Sequence, residues 1–282
     1  MSRLYMRFPK WKQHAFTMSY DDGVVQDIRL IEIMNKYGIK GTFNLNSDRI
    51  VSDGVVSQYL SVEQVKELYT KNGMEIALHG LTHATLAMIP TDMCAKEVLL
   101  DRVNLEELTD SIVRGMAYPN ASFSDDVITT LRQCGIVYGR TTDATYNFNI
   151  PLDWFRFNPT CHHNDERLME LARSFVEDFK YGQPALFYLW GHSYEFDNDN
   201  NWNRIEELAQ YIGNRENIWY ATNLDICDYV TAFRRLVFSM NEKRVYNPSN
   251  IEVYFQIDDK GYCVKPGEYV LSECFGGVLE WH

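Results

Sequence analysis

The chain has 282 residues, of which 45% are hydrophobic and 23% are charged, so it can bury a sizeable core and is not a disordered chain. It carries 27 Lys and Arg against 39 Asp and Glu, a formal net charge of −12, and no basic run is long enough to follow a phosphate backbone. We therefore expect no nucleic acid and no membrane among its partners. No signal-peptide-like stretch opens the chain and its six cysteines form no CxxC pair, which favours a cytoplasmic protein with free thiols.

Short apolar runs recur along the chain, each followed by a helical pattern, as in parallel strands joined by crossover helices. The predicted strands are AFTMSY at 15–20, TFNLN at 42–46, EIALH at 75–79, IVRGMAY at 112–118, IVYGRT at 136–141, WFRFN at 154–158, ALFYLWG at 185–191 and IWYAT at 218–222. In the first predicted helix Ile28, Ile31 and Met34 form one apolar face. The next helix is predicted to begin after an N-cap at Ser61 and to end at Gly73.

Seven or eight such strands predict an α/β fold, an irregular (β/α) barrel of about seven parallel strands, over residues 1–241. The alternative is a doubly wound open sheet. Beyond residue 242 the pattern alternates and contains a DDKG turn, which predicts a small C-terminal β addition over residues 242–282 that packs on the barrel. In a (β/α) barrel, functional side chains follow the carboxyl ends of the strands.

Unusual polar residues follow three of the predicted strands. Asp21 and Asp22 come after the first strand, His79 and His83 after the third, and His192 after the seventh. Two histidines four residues apart, on one side of a helical turn, can bind one metal ion. With one Asp they would give three protein ligands and an open position for water, as in a catalytic zinc site. A cation would relieve the repulsion between the adjacent carboxylates, and His192 would suit a general acid.

Each of these motifs also has a structural explanation by itself. Asp-Asp-Gly is a common turn sequence, and single histidines are often hydrogen-bonded core residues. Their conjunction at strand ends is what indicates a site. The CHH sequence at 161–163 could be a thiol nucleophile with its base or a set of extra ligands, but adjacent side chains on a strand point to opposite faces. We therefore interpret it as structural, with one of the two histidines at the rim of the cleft. Glu195 and Asp197 either orient His192 or begin a solvated loop.

The order of these motifs resembles that of the metal-dependent polysaccharide deacetylases of carbohydrate esterase family four, over about residues 12–235. SYDDG resembles the family's first motif, HGLTH its HSxxH motif, and LWGH the end of its last strand. The resemblance implies Asp21 as the catalytic base and His192 as the general acid. It implies Asp22, His79 and His83 as the ligands of a divalent metal, with Zn²⁺ expected and Co²⁺, Ni²⁺ or Fe²⁺ also compatible with two His and one Asp.

The chain departs from the family pattern in the third motif, RxPxG. Here AYPNA places Ala117 where the family has an arginine that orients the base, so either another residue replaces that arginine or Asp21 is held less firmly. Trp190 takes the place of a leucine that lines the acetyl pocket in relatives. The residues predicted to line the substrate pocket are Tyr20, Tyr118, Pro119, Trp154 and Trp190.

The sequence therefore predicts a metal-dependent hydrolase that removes an acyl group, expected to be acetyl, from an amino sugar or polysaccharide. Its partner would be a carbohydrate or an acylated small molecule. One alternative is a hydrolase of small amides or imides on the same fold. The other is a carbohydrate-binding barrel without catalytic activity, which the missing arginine makes plausible.

Overall fold

The computed structural model describes residues 4–177, 182–258 and 260–271. The strands are β1 (Leu4–Arg7), β2 (His14–Asp21), β3 (Gly41–Leu45), β4 (Glu75–Leu78), β5 (Gly115–Ala117), β6 (Tyr138–Arg140), β7 (Cys161–His162), β8 (Ala185–Gly191), β9 (Ile218–Tyr220), β10 (Val237–Phe238), β11 (Arg244–Asn247), β12 (Val253–Ile257), β13 (Lys260–Val264) and β14 (Gly267–Val270). The α-helices are α1 (Asp27–Lys36), α2 (Val62–Val65), α3 (Thr91–Thr109), α4 (Asp125–Gln133), α5 (Leu168–Glu177), α6 (Glu195–Asn198), α7 (Trp202–Ile212) and α8 (Asn223–Arg234).

Eight parallel strands form the main sheet, in the order β6-β5-β4-β3-β2-β8-β7, with β9 paired to β2. One edge of β2 is shared, because β9 pairs with residues 14–16 and β3 with residues 18–21. The segment after β6 joins the two ends of the sheet, since the Phe157 N–H donates to Gly139 O at 3.0 Å and the Thr160 N–H to Tyr188 O at 2.7 Å. The predicted irregular (β/α) barrel is confirmed.

Strand β2 shows how the two faces of this sheet differ. Phe16, Met18 and Tyr20 are buried in the largest apolar core. The alternate residues are also buried but polar: the Thr17 hydroxyl hydrogen-bonds Asn223 at 3.0 Å, and Ser19 accepts from Asn44 at 2.8 Å. Because side chains alternate along a strand, this second face carries hydrogen-bonding groups toward the end of β2.

The helix predictions hold with local corrections. In α1, Ile31 and Met34 are buried as predicted, but Ile28 is exposed and Leu30 takes its place on the apolar face. Ser61 caps α2, and a reciprocal hydrogen bond with Gln64 completes a capping box. The helix then continues as a π-helical turn over Lys66–Thr70.

The predicted strand at 154–158 is wrong. Trp154–Arg156 is a turn of 3₁₀-helix, begun by the Asp153 side chain, which accepts a hydrogen bond from the Phe155 N–H. The strand beside β8 is instead β7, two residues long, which the pattern at 161–163 did not predict. A short buried run cannot by itself distinguish a strand from a helical turn.

The C-terminal segment forms antiparallel strands, as predicted, but not by itself. β12 and β13 pair with the N-terminal strand β1, and β11 and β14 pair with β10. The division at residue 241 stays a prediction, although both small sheets take a strand from the other side of it. Residues 272–282 of the predicted addition lie outside the described residues. Within the described ranges, no helix is long and apolar enough to cross a membrane.

Asp27, the first residue of α1, connects that helix to the turn that follows β8. Its carboxylate is fully buried and accepts hydrogen bonds from the Tyr69 hydroxyl at 2.6 Å and from the Ser193 hydroxyl at 2.5 Å. Burial raises the pKa of Asp27 to about 7, although the two hydrogen bonds oppose the shift. The protonated, neutral form of the Asp27 carboxyl therefore stabilises the folded state more than its ionised form does.

We expect stability to depend on the ionisation of Asp27. Because its folded pKa lies above the unfolded one, its contribution is present below about pH 4 and is lost as the pH rises through about 7. Asp27→Asn has no carboxyl to ionise. In urea unfolding, wild type should lose on the order of 2 kcal/mol more than Asp27→Asn between about pH 5 and pH 8. The exposed Asp126→Asn serves as control, and equal losses in wild type and Asp27→Asn would refute this account of Asp27.

Candidate active site

Asp21 ends β2 and accepts hydrogen bonds from two neighbouring side chains. It is 2% exposed. Arg140 donates to both of its oxygens, and Asn44 Nδ2 donates to Oδ1 at 2.8 Å. Burial would raise the pKa of Asp21, but Arg140 and the nearby His79 and His192 lower it to about 2. Asp21 is therefore a buried carboxylate that stays ionised.

Arg140 supplies the guanidinium that the third motif lacks. It lies on β6, directly opposite Ala117 of β5 in the parallel register, so the cation comes from the neighbouring strand. Its side chain is fully buried, and the guanidinium lies over the ring of Trp190 at 4.7 Å from the ring centre. Within the described part of the chain, its Nε and Nη1 have no hydrogen-bond partner. The sequence signal for Arg140 was a charged residue inside the predicted buried strand IVYGRT.

Asp22, His79 and His83 come together as predicted. Their ligand atoms all lie within 4.8 Å of one another, and His83 Nε2 is 3.8 Å from Asp22 Oδ1. His79 Nδ1 lies 2.9 Å from the carbonyl oxygen of Ala117, which can only accept, so the ring proton is on Nδ1 and the Nε2 lone pair is available. Burial lowers the pKa of His79 to about 4, and burial also lowers that of His83. Two neutral imidazoles and one carboxylate fit a divalent cation.

The two histidines are not on a helical turn, contrary to the sequence prediction. Residues 79–83 form a loop in which Gly80 has φ +74° and His83 has φ +62°. Asp22 also has a positive φ, +80°. Left-handed backbone is costly for residues with a side chain and is typically retained at functional sites. The loop geometry, rather than helical periodicity, brings His79 and His83 together.

Helix α3 holds this loop with two inward-facing acids that sequence reasoning missed. Glu97 accepts hydrogen bonds from the backbone N–H and the hydroxyl of Thr82, both at 2.9 Å. Asp101 is fully buried and accepts from the Ser47 N–H at 2.8 Å and from the His79 N–H at 3.2 Å. The available signal was their spacing of four residues among apolar residues of one helix.

His192 follows β8 and approaches Asp21 from the side opposite to His79. The Nε2 atoms of His192 and His79 are each 3.8 Å from Asp21 Oδ2. Burial lowers the pKa of His192, but Glu195 and Asp21 outweigh burial and leave that pKa above its ordinary value. An imidazole in this setting can hold a proton that it later donates.

Of the five residues predicted to line a substrate pocket, the structure brings Trp190 to this cluster. Its ring contacts Arg140, His162 and His192, and it is partly exposed. Tyr20 is fully buried on the opposite face of β2 from Asp21, against Phe43, His163 and Phe196, so its prediction as a pocket residue is wrong.

Of the other three predicted pocket residues, Pro119 packs against the loop that carries His79 and His83, since a Cβ on Gly80 would lie 3.3 Å from its Cγ. Tyr118 and Pro119 are buried, and the Tyr118 hydroxyl donates to the Phe155 carbonyl oxygen at 2.9 Å. Trp154 packs against Phe157 and under the Arg234 guanidinium. The motif predicted which residues lie near the site in the sequence, but it did not predict whether their side chains are exposed to a pocket.

The CHH sequence at 161–163 was interpreted as structural, and the structure agrees for the cysteine but not for the orientation of the two histidines. Cys161 is structural as expected, since it is fully buried and burial raises the pKa of its thiol to about 12. His162 and His163, however, do not point apart. Their ring centres are 4.4 Å apart and both Nε2 atoms reach Glu195, because the strand ends at His162 and the chain turns.

Comparisons with known proteins agree with this fold. The family model described as polysaccharide deacetylase matches residues 10–139. No curated protein matches the chain. A putative polysaccharide deacetylase from Mycobacterium smegmatis has a TM-score of 0.60 at 16% identity, covering 83% of this chain and 96% of that one. A mutant of BA3943 from Bacillus anthracis, described as a CE4 family pseudoenzyme with restored enzymatic activity, has a TM-score of 0.50 at 16% identity, covering 79% and 70%.

A further structure covers less. The deacetylase PplD of Streptococcus pyogenes, in complex with acetate, is 21% identical over 45% of this chain with a TM-score of 0.42, and the chain spans 55% of its length. The matched segment, residues 10–139, contains Asp21, Asp22, His79 and His83. The resemblance found in the motifs is thereby confirmed over residues 10–139, where the chain matches the polysaccharide deacetylase family model.

Proposed function

We propose that the protein is a divalent-metal-dependent hydrolase that removes an acyl group, expected to be acetyl, from an amino sugar or a sugar chain. The observation that carries the proposal is the placement of Asp21. Its ionised carboxylate lies between the Nε2 atoms of His79 and His192, 3.8 Å from each, and beside the Asp22, His79 and His83 cluster. The family match supports the same reaction class.

A cation held by Asp22, His79 and His83 would lower the pKa of a water molecule and polarise an acyl carbonyl. Asp21 is the proposed base: it is ionised at neutral pH and can accept the proton of the attacking water. His192 is the proposed acid and donates a proton to the departing amine or alkoxide. Zn²⁺ is the expected ion, and Co²⁺, Ni²⁺ and Fe²⁺ accept the same ligands.

The presence of Arg140 favours catalysis over the non-catalytic alternative. That alternative depended on the missing motif arginine, and Arg140 now makes the ion pair that orients Asp21. One structural relative is described as a pseudoenzyme whose activity was restored in a mutant, so turnover of this chain needs a direct test. Trp190 forms a bulky wall beside the cluster, which favours a small acyl group such as acetyl.

We expect variants of the proposed metal ligands to lose the bound ion and to remain folded. After reconstitution with Zn²⁺, elemental analysis should find about one equivalent in wild type and far less in His79→Ala and His83→Ala, since each variant removes one ligand of three. Asp48→Asn, which removes an exposed carboxylate on the nearby loop, should keep the ion. Equal zinc content in all four proteins would show that the ion binds elsewhere.

Asp21→Asn should keep the ion and lose the chemistry. Removing a general base costs about 10²- to 10⁴-fold in kcat. The measurement is acetate release from a panel of acetylated sugars and small amides, alongside zinc content and thermal unfolding. Release from small amides alone would support the amide-hydrolase alternative, and no release by metal-loaded wild type would support the binding protein. Undiminished kcat in Asp21→Asn would remove Asp21 from the reaction.

Arg140→Ala should impair both stability and turnover, because it leaves the buried Asp21 charge without its cation. Breaking a buried ion pair costs about 3–5 kcal/mol. At a temperature where the variant stays folded, kcat should fall and added guanidinium should restore part of it. Arg114→Ala, which breaks a partly exposed ion pair with Asp228, is the matched control. Full activity in Arg140→Ala would contradict its assigned role.

A further inference from the structure

Three imidazoles meet one carboxylate oxygen beside the proposed acid. Glu195 Oε2 lies 3.1 Å from His162 Nε2, 3.2 Å from His163 Nε2 and 3.5 Å from His192 Nδ1. The backbone N–H of His192 also donates to this oxygen, at 3.2 Å. The proposed reaction assigns no role to Glu195, His162 or His163.

Backbone hydrogen bonds also join Glu195 and His192, one from the His192 N–H to the Glu195 carboxylate and one in the reverse direction. Glu195 is the first residue of α6, and its own N–H donates to the His192 carbonyl oxygen at 3.1 Å. The carboxylate and the imidazole therefore belong to one turn after β8. A displacement of the Glu195 side chain would therefore change the surroundings of the His192 ring.

His163 is fixed by packing. It is fully buried and lies stacked between the rings of Tyr20, at 5.6 Å, and Phe196, at 4.2 Å. Gly191 makes room for it, since a Cβ added there would lie 2.0 Å from His163 Nδ1. A ring held in this way gives Glu195 a fixed neighbour rather than a mobile one.

The ring proton of His162 distinguishes a hydrogen bond from a second metal site. Two imidazole nitrogens and a carboxylate oxygen could hold a cation. However, the Asn164 N–H donates to His162 Nδ1 at 3.1 Å, so Nδ1 is the acceptor and neutral His162 carries its proton on Nε2. A proton on Nε2 points at Glu195 and leaves that nitrogen no lone pair for a metal.

From this geometry we propose that Glu195 is the positioning residue of His192 and that His162 and His163 hold the Glu195 carboxylate in place. The inference depends on the proposed function in taking His192 as the acid. Glu195 Oε2 faces His192 Nδ1 at 3.5 Å, and its negative charge favours a proton on Nδ1, which leaves Nε2 directed toward Asp21, where an acid proton is needed. Burial would raise the pKa of Glu195, but the three neighbouring imidazoles hold that pKa well below its ordinary value.

The test compares Glu195→Gln with Asp197→Asn in the zinc-loaded protein. Asp197 is on the same short helix, but it is exposed and bonds Gln26 and Trp202 instead of a histidine. We expect Glu195→Gln to lower kcat by about 10- to 100-fold with little change in KM, and Asp197→Asn to match wild type. At alkaline pH, where the ring has lost its acid proton, proton–nitrogen NMR should show neutral His192 as the Nδ1–H form in wild type and as a mixture of the two ring forms in Glu195→Gln.

A second pair of variants tests the support of Glu195. His162→Gln keeps a donor near the carboxylate and should retain most activity, whereas His162→Phe should resemble Glu195→Gln. The NMR readout needs no turnover, so it remains informative if no substrate is hydrolysed and the proposed function fails. An unchanged His192 ring form in Glu195→Gln would overturn the proposal. A second equivalent of zinc, lost in Glu195→Gln and His162→Phe, would assign the cluster to metal binding instead.

Discussion

The site is organised around the buried ion pair between Asp21 and Arg140. Asp21 is almost inaccessible to solvent, and a carboxylate in such a place would ordinarily take up a proton. Arg140, fully buried on another strand, keeps it charged. Neither residue could be buried alone without a cost of several kcal/mol, so the fold accepts them as a pair. Their pairing requires β2 and β6 to lie on opposite sides of the same barrel interior.

Everything else at the site is arranged around that carboxylate. β2 pairs with three other strands and so places Asp21 near the middle of the sheet. β4 ends in the loop that carries His79 and His83, and β8 ends in the turn that carries His192. The Nδ1 atom of each flanking imidazole faces an oxygen, the Ala117 carbonyl at 2.9 Å from His79 and the Glu195 carboxylate at 3.5 Å from His192.

The sequence predicted those parts of the site that are local in the chain. DDG, HxxxH and the histidine after the last long strand were each recognisable, and their meeting followed from the rule that parallel strands end on one side. Arg140 could not be placed, because its role depends on the register of β5 with β6 rather than on a motif. The meeting of His162 and His163 at Glu195 depends in the same way on where β7 ends.

Some of the features predicted wrongly could have been read from the sequence, and others depend on long-range packing. Tyr20 precedes Asp21 on one strand, so the alternation of strand side chains already places them on opposite faces. The strand expected at 154–158 is a turn because Asp153 caps it, a choice that propensity alone does not decide. The pairing of β1 with β12 joins residues about 250 positions apart in the chain, which no local pattern could reveal.

The most direct measurement is anomalous X-ray diffraction from crystals of the zinc-loaded protein at the zinc absorption edge. We expect one strong peak about 2 Å from His79 Nε2, His83 Nε2 and an Asp22 oxygen, with Asp21 still paired to Arg140 and not coordinated. A peak between His162, His163 and Glu195, or coordination by Asp21 in place of Asp22, would contradict the assignment of base and ligands on which the proposed function depends.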